Sequence, residues 1–250
     1  MSAADLTEIA TAKSMRLIAR AVAAGRLQTI TLGAEHIPTT GPALIVVRHY
    51  HHFFDGLALF AAMPRHFHIL VTLDWVQNVR RRLFMTQMTR LARWPVILRR
   101  EALTRSNEIG ASQHRPLFSL VDATRYQRKA LRESVQLLME KRVLVVFPEG
   151  YPNIDPTYTP KRADEEFLPF KPGFVTIARS SENRLGAPLP IIPTGLRYML
   201  GKRSIAHVSF GRPVYRTNFA SSAELISYCE QTVKESSLMS PVKSANSQVI

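Results

Sequence analysis

Three features of the sequence predict an α/β fold, with a mixed β-sheet flanked by helices in a single domain. Short apolar runs, such as Ala43 to Val47 and Val143 to Val146, alternate with longer segments whose apolar residues recur at helical spacing. This alternation is typical of layered α/β domains. A chain of 250 residues can bury a full core, and no Gly/Ser tract or internal repeat divides it. Both apolar runs lead into loops that carry histidine or acidic residues, at the strand ends where α/β folds place their ligand-binding and catalytic sites.

The chain is expected to comprise three parts. Residues 1–26 are predicted to form a helical segment, residues 27–236 the α/β domain, and residues 237–250 a disordered tail. Met1 to Glu8 contain no basic stretch followed by an apolar core, so no secretory signal is predicted. No run approaches the roughly 18 apolar residues that a membrane-spanning helix requires. If the protein acts on lipids, we therefore expect it to lie on the membrane surface.

The first half of the chain is predicted to supply most of the strands. A helix is expected over Leu6 to Leu27 and another from Gly56 to Met63. Strands are expected at Thr29 to Leu32, Ala43 to Val47, Phe67 to Leu73 and Val96 to Leu98.

A basic helix is predicted between the last two of these strands, from Val76 to Arg93. Asp74 followed by Gln77 resembles an N-terminal cap. Apolar residues at spacings of three and four are expected on one inward face: Val76, Val79, Leu83, Phe84, Met88 and Leu91. The arginines lie mainly off that face, and no acid occurs between Asp74 and Glu101.

The second half alternates in the same way. The polar stretch Glu101 to Leu120 is expected to be a loop, as is the proline-containing stretch Tyr151 to Leu168. Helices are predicted at Asp122 to Lys141, from Lys171 to Arg179 and at Ala223 to Lys234, and strands at Val143 to Phe147, Pro190 to Leu196 and Ile205 to Phe210.

A cluster of histidines directly follows the strand Ala43 to Val47, in the segment Arg48-His49-Tyr50-His51-His52-Phe53-Phe54-Asp55-Gly56. A histidine with an acid a few residues on supplies a general base and a group that orients it. His49 is the first of the three histidines after the strand, and with Asp55 it is the first candidate for a catalytic pair. His51 and His52 lie four and three residues before Asp55, and either would meet it in a helical segment. They remain alternative bases.

A metal site is not predicted at these histidines. A metallo-hydrolase of the His-x-His-x-Asp-His type would need Asp at position 53 and His at position 54, and both are Phe. No Cys/His pair elsewhere completes a zinc site. The alternative to catalysis is that the histidines are surface or structural groups of a loop.

Together with Phe147-Pro148-Glu149-Gly150, the histidine segment resembles the glycerolipid acyltransferase family, which contains the lysophosphatidic acid acyltransferases. The family's first motif reads Asn-His, four residues, Asp. Here Arg48 replaces Asn, and five residues separate His49 from Asp55. The third motif, Phe-Pro-Glu-Gly-Thr-Arg, matches through Gly150, after which Tyr151 and Pro152 replace Thr and Arg. The strands that end at Arg99-Arg100 and surround Pro193 resemble the second and fourth motifs.

The resemblance implies an O-acyltransferase of phospholipid biosynthesis with an acyl-CoA or acyl carrier protein donor, no further cofactor, and a lysophospholipid acceptor. It also implies which residues bind the acceptor: Phe147, Pro148, Glu149 and Gly150. Because the usual Arg is missing after Gly150, Arg100 is predicted to contact the acceptor phosphate. Lys171, before a predicted helix start, is a second candidate for contact with an anion.

The charge of the chain predicts an anionic partner. Its net charge of +14 fits nucleic acid, anionic lipid or a phosphorylated substrate. Trp75 and the arginines Arg80, Arg81 and Arg82 favour contact with an anionic membrane surface. No zinc-finger, helix-turn-helix or RNP signature supports nucleic acid. The single cysteine, Cys229, fits a reducing compartment, so a peripheral place on the cytoplasmic face is expected.

A second interpretation belongs to a different class. A catalytically altered protein on the same fold, which binds lipid or nucleic acid without turnover, would account for the longer spacing from His49 to Asp55 and for the missing Arg after Gly150.

Overall fold

The computed structural model of the chain describes residues 25–76, 78–109, 118–155 and 158–238, together with Ser14, Leu17 and Ala21. The described strands are β1 (Leu27–Leu32), β2 (Ala43–Val47), β3 (Phe67–Ile69), β4 (Val71–Thr72), β5 (Val96–Ile97), β6 (Val143–Val146), β7 (Ile191–Met199) and β8 (Ser204–Phe210). The described α-helices are α1 (Phe54–Ala62), α2 (Val79–Leu91), α3 (Arg100–Ile109), α4 (Leu120–Met139), α5 (Gly173–Leu185) and α6 (Ser222–Leu238).

A six-stranded mixed sheet forms the centre of the fold, in the order β1-β8-β7-β2-β6-β3. β2 pairs in parallel with both β6 and β7, and β3 pairs in parallel with β6. β8 runs antiparallel to β7 and pairs in parallel with β1. The predicted α/β class with a mixed sheet is therefore confirmed. β4 and β5 form a separate parallel pair beside it.

Both faces of the central strands are buried, which explains why these strands are continuous apolar runs. In β2, Ile45 and Val47 pack into one cluster with α1, while Leu44 and Val46 pack into the opposite cluster with α4, α5 and α6. A third, smaller cluster lies under β4 and β5, around Leu73 and Leu98. Because β2, β6 and β7 run in the same direction, their carboxyl ends meet at one edge of the sheet.

The segment predicted as one strand from Phe67 to Leu73 is two strands in different sheets. The amide of Leu70 donates to the Val145 carbonyl at 2.9 Å, whereas the amide of Val71 donates to the Pro95 carbonyl at 3.0 Å. The chain thus changes partners between neighbouring residues, which an apolar pattern alone does not reveal.

The prediction of a loop for the polar stretch after Glu101 is wrong. Helix α3 occupies its first part and buries Leu103 in the third cluster. Among residues 100–104, whose side chains are described, Leu103 is the buried one, while Arg100, Glu101 and Thr104 are exposed. Residues 110–117 lie outside the described part of the chain.

Helix α2 begins later than predicted and is capped by a different residue. The side chain of Asn78 accepts hydrogen bonds from the amides of Arg80 and Arg81, at 2.8 and 3.3 Å. Asp74 does not cap the helix, because its carboxylate accepts from Arg99 instead. Gln77 lies outside the described residues.

The inward face predicted for this helix is wrong for four of its six residues. The four are exposed: Val79, Leu83, Phe84 and Leu91. Thr89 is buried instead. Val76, just before the helix, is buried in the third cluster, and Met88 is half-buried. Apolar residues are spread around most of this helix, so their spacing does not decide which side meets the core.

The residues predicted to contact a membrane lie on and beside α2. Arg80 and Arg81 are exposed, while Arg82 is half-buried with its guanidinium 5.6 Å from the ring centre of Phe118. Trp75 is half-buried, and its indole N–H donates to the Thr72 carbonyl at 2.8 Å. The indole N–H is therefore bonded within the domain.

The chain termini are described only in part. Of the predicted N-terminal helix, Ser14, Leu17, Ala21, Gly25 and Arg26 are described, and all five are helical. The predicted tail from residue 237 begins inside α6, which continues to Leu238, and residues 239–250 lie outside the described chain. Among the described helices, none combines the length and apolarity needed to cross a membrane.

Candidate active site

The candidate site begins where β2 and β6 end beside each other. Val46 of β2 pairs with Val146 of β6, so the residues that follow the two strands become neighbours. The imidazole of His49 stacks on the ring of Phe147, with centroids 4.4 Å apart and an interplanar angle of 27°. The two motifs found in the sequence thus meet at one edge of the sheet.

His49 and Asp55 are in direct contact. His49 Nδ1 lies 2.8 Å from Asp55 Oδ2, and the Asp55 side chain is 2% exposed against 19% for His49. Nδ1 is occupied by the carboxylate, so Nε2 is the ring nitrogen left to exchange a proton with a bound molecule. This is the geometry of an oriented general base.

The additional residue between His49 and Asp55 is accommodated by a short strand-like pairing. The amide of Ile154 donates to the Tyr50 carbonyl at 2.8 Å, and the amide of His52 donates to the Ile154 carbonyl at 3.1 Å. This pairing extends the loop after β2 before α1 begins. Asp55, near the start of α1, then points back to His49 despite the longer spacing.

The carboxylate of Asp55 accepts three further hydrogen bonds. Oδ2 accepts from the amide of Tyr50 at 2.8 Å, and Oδ1 accepts from the amide of His51 at 2.9 Å. Oδ1 also accepts from the hydroxyl of Tyr198 at 2.9 Å. Together these donors fix the orientation of the carboxylate that contacts His49.

Tyr198 is the residue of this group that sequence analysis missed. It lies on β7, the strand that resembles the family's fourth motif. β7 pairs with β2 on the side opposite β6, and the Tyr198 hydroxyl contacts Asp55. Burial, together with the charge of Asp55, raises the pKa of Tyr198 well above its usual value. Its hydroxyl therefore stays a donor. The sequence offers only a weak indication of this role, which is a tyrosine hydroxyl within an otherwise mostly apolar strand.

The other two histidines have different surroundings. His51 Nδ1 accepts from the amides of Phe53 and Phe54 at 3.2 and 3.3 Å, at the start of α1. Burial, followed by the nearby His52, lowers the pKa of His51. His52 is exposed, with Nδ1 3.3 Å from the Ile154 carbonyl. In the described structure, His49 is the histidine whose ring contacts the Asp55 carboxylate.

Glu149, predicted to bind the acceptor, is fully buried. Its Oε1 accepts from the amide of His49 at 2.9 Å, and its Oε2 accepts from the amide of Leu168 at 3.0 Å. Oε2 also forms an ion pair with Lys161 Nζ at 2.6 Å, and both side chains are 0% exposed. Protein groups thus occupy both oxygens of this carboxylate. Lys161 lies in a predicted loop and was not singled out from the sequence.

Gly150 requires its residue type on steric grounds. Its φ of 77° lies in the left-handed region, and a Cβ there would lie 3.3 Å from Lys171 Nζ. Its amide donates to the Phe147 carbonyl at 3.0 Å, which closes a tight turn over the buried Pro148. The turn brings Gly150 beside Lys171.

The two arginines after β5 have different positions. Arg99 donates from Nε to Asp74 and from an η-nitrogen to the Gly150 carbonyl, both at 2.7 Å. Its guanidinium also lies 4.0 Å from the ring centre of Tyr151. Arg100, predicted to contact the acceptor phosphate, is exposed at the first position of α3. The strand ends at Ile97 and Arg100 begins α3, so the two side chains are separated by the turn into the helix, and Arg99 is the one packed against the glycine turn.

Lys171 lies at the outer side of the same turn. Its ammonium pairs with Glu101 and lies 5.5 Å from the ring centre of Tyr151. Burial raises the pKa of Glu101, but its hydrogen bonds from Lys171 and the backbone outweigh this, so the net shift is downward. An incoming anion would therefore compete with Glu101 for Lys171.

Metal-ligand clusters are not found in the described part of the chain. No group of three or more His, Cys, Asp or Glu side chains is arranged there to bind a metal ion.

Comparison with known proteins adds two findings. A family model described as Acyltransferase matches residues 29–197. The crystal structure of the 1-acyl-sn-glycerophosphate (LPA) acyltransferase PlsC from Thermotoga maritima is similar, with a TM-score of 0.55 and 17% sequence identity, covering 94% of this chain and 80% of that one. At that identity the likeness concerns the fold. No curated protein matches the chain.

Proposed function

Because the chain belongs to the acyltransferase family, whose reaction is acyl transfer, we propose that it moves a fatty acyl group from an acyl thioester to a hydroxyl of a lysophospholipid-type acceptor. The observation that carries this proposal is the 2.8 Å contact between His49 Nδ1 and Asp55 Oδ2 at the edge where β2 and β6 end. That contact also argues against a catalytically altered protein, because it survives the longer spacing between the two residues.

The chemistry follows from these groups. Nε2 of His49 takes the proton of the acceptor hydroxyl as that oxygen attacks the thioester carbonyl carbon. The tetrahedral intermediate collapses with cleavage of the C–S bond, and the thiolate leaves with the proton from His49. Asp55 orients the imidazole and stabilises its cationic form. A thioester is already activated, so no enzyme nucleophile is needed.

The proposed acceptor carries a phosphate. Support comes from the fold shared with an LPA acyltransferase, from Lys171 beside Gly150, and from the exposed Arg100, which follows Arg99 in the chain. Arg99 is less available, because Asp74 and Gly150 occupy its donors. Acyl-CoA and acyl carrier protein are the two proposed donors, and both present a thioester.

The proposed location is the cytoplasmic face of an anionic membrane. The stretch between Asp74 and Glu101 contains no acid, and the exposed face of α2 combines Arg80 and Arg81 with Leu83 and Phe84. Basic side chains attract anionic headgroups, and exposed apolar side chains partition into the interface. Both features favour an anionic bilayer as the occupant of this face.

The decisive experiment incubates the pure protein with mixed lysophospholipids and acyl-CoA, and identifies acylated products by mass spectrometry. His49→Ala should lower turnover at least about 100-fold, the usual contribution of a general base. His51→Ala and His52→Ala are the matched variants. If one of them abolishes turnover while His49→Ala does not, the base is misassigned. If all three variants stay active, the proposed mechanism fails.

A further inference from the structure

The peptide groups of His49 are bonded on both sides by one buried ion pair. The amide N–H of His49 donates to Glu149 Oε1 at 2.9 Å, and the carbonyl of His49 accepts from Lys161 Nζ at 2.8 Å. Glu149 Oε2 and Lys161 Nζ lie 2.6 Å apart. The ion pair therefore closes a ring of contacts around the backbone of the proposed base.

These side-chain contacts take the place of the backbone hydrogen bonds that a neighbouring strand would make to His49. The last sheet-edge bond before His49 joins the Arg48 amide to the Thr194 carbonyl at 3.3 Å. Beyond it, the backbone of His49 bonds to side chains. A buried polar backbone group needs a partner, and here the two partners come from different parts of the chain.

Lys161 is itself fixed within the segment that follows Gly150. Its Nζ also donates to Asn153 Oδ1 at 3.1 Å, and Asn153 Nδ2 donates to the carbonyls of Ala163 and Glu166 at 2.8 and 3.1 Å. The guanidinium of Arg48 donates to the Asp164 carbonyl in the same segment. The segment therefore contacts the loop after β2 at several points.

We infer that Lys161 is a positioning residue for the reaction, fixing the backbone of His49 with Glu149 as its counter-ion. The inference rests on the proposed function, since it concerns the base named there. It gives Glu149 an internal role in place of acceptor binding. Burying a charge pair away from solvent costs desolvation energy. At this site the ammonium of Lys161 and the carboxylate of Glu149 both bond to the backbone of His49, whose position the reaction requires to be fixed.

The test compares the neutral pair Lys161→Met/Glu149→Gln with the conservative variant Lys161→Arg. The neutral pair removes both charges of the Glu149–Lys161 ion pair together, while Arg48 keeps Asp55 and Asp164 as nearby acids, and Gln keeps an acceptor for the His49 amide. We expect kcat to fall about tenfold or more, with KM for donor and acceptor within twofold of the parent. Lys161→Arg keeps the positive charge and the hydrogen-bond donors, so its kcat should stay closer to that of the parent than the kcat of the neutral pair does. This variant tests the proposal even if the neutral pair folds poorly.

A second readout is independent of turnover. The Nδ1 proton of His49, bonded to Asp55, should give a downfield NMR signal that shifts or broadens in the neutral pair. The matched control is Lys129→Met/Glu133→Gln, which removes an exposed pair on α4 at 3.6 Å and should leave rate and spectrum unchanged.

Three results would overturn the inference: full kcat in the folded neutral pair, a rise in KM instead of a loss in kcat, or a loss that Lys161→Arg does not relieve. Loss of activity in His49→Ala is measured in parallel. If His49→Ala stays active, the proposed mechanism fails whatever the Lys161 variants do.

Discussion

The hydroxyl of Tyr198, on β7, donates to Asp55 Oδ1 at 2.9 Å. Asp55 thereby connects β7 to the loop that carries His49. A carboxylate with one imidazole, two amides and one hydroxyl around it has little freedom to rotate. The orientation of the base thus depends on a residue 143 positions away from Asp55 in the chain.

Tyr198→Phe should lower kcat about tenfold, because a hydrogen bond to a charged group contributes on the order of 1.5–3 kcal/mol. KM should change little, since the hydroxyl is buried behind Asp55. Steady-state kinetics measure both parameters. Tyr228→Phe, on the exposed side of α6, is the control, and a parent-like Tyr198→Phe would contradict the prediction.

Substitution of the two arginines after β5 should affect different quantities: KM for the acceptor in the case of Arg100, and stability of the fold in the case of Arg99. Arg100→Ala should raise KM for a phosphorylated acceptor more than KM for the acyl donor, with stability unchanged, because Arg100 is exposed. Arg99→Ala should instead destabilise the fold by about 3–5 kcal/mol, because Asp74 would be left buried without its cation. Kinetics and denaturant unfolding of both variants decide this. Equal effects of Arg100→Ala on both substrates would exclude it as the phosphate contact.

His51 should make the fold less stable in mild acid. Its neutral Nδ1 accepts two amides at the start of α1, and its pKa is lowered in the folded state. The unfolded chain therefore binds that proton more readily, so this contribution to stability is fully present above about pH 6.5 and is lost as pH falls below it through the lowered folded-state pKa. Replacement by Asn keeps a capping acceptor that does not titrate. Unfolding free energies at pH 7.5 and 5.5 should differ less in His51→Asn than in the parent, and equal differences would contradict this.

The affinity for anionic liposomes should have two contributions: an electrostatic one that added salt weakens, and an apolar one that persists at high salt. Each basic residue near the surface contributes on the order of 1 kcal/mol, within a Debye length of about 8 Å at physiological salt. Replacing Arg80, Arg81 and Arg82 by Glu should therefore weaken binding mainly at low salt. Co-sedimentation at low and high salt measures this, and equal binding to neutral and anionic vesicles would refute the electrostatic part.

The salt-resistant part should depend on the apolar face of α2. Leu83 and Phe84 are each 63% exposed, so Leu83→Ser/Phe84→Ser should remove binding that survives high salt. Met199→Ser/Leu200→Ser, at the turn between β7 and β8, alters another exposed apolar pair and is the matched control. Equal losses in the two double variants would show that α2 is not the contact.

Much of the fold was predictable because its strands carry local signals. Ala43 to Val47 and Val143 to Val146 are continuous apolar runs, and the structure places strands at both. The errors lie where burial depends on distant partners. Phe67 to Leu73 divides between two sheets, and α2 turns its apolar residues outward. Neither outcome follows from spacing, because both depend on what packs against the segment.

By itself, the sequence determined the α/β class, the two motifs at strand ends and the candidate pair His49 and Asp55, since each depends on residue type and local order. Only the tertiary structure decided how five intervening residues still bring Asp55 to His49, because that needs the pairing with Ile154. It also decided that Glu149 turns inward to Lys161 and that Tyr198 reaches Asp55. These contacts join residues far apart in the chain, and their energies come from burial and hydrogen bonding that exist only once the sheet has formed.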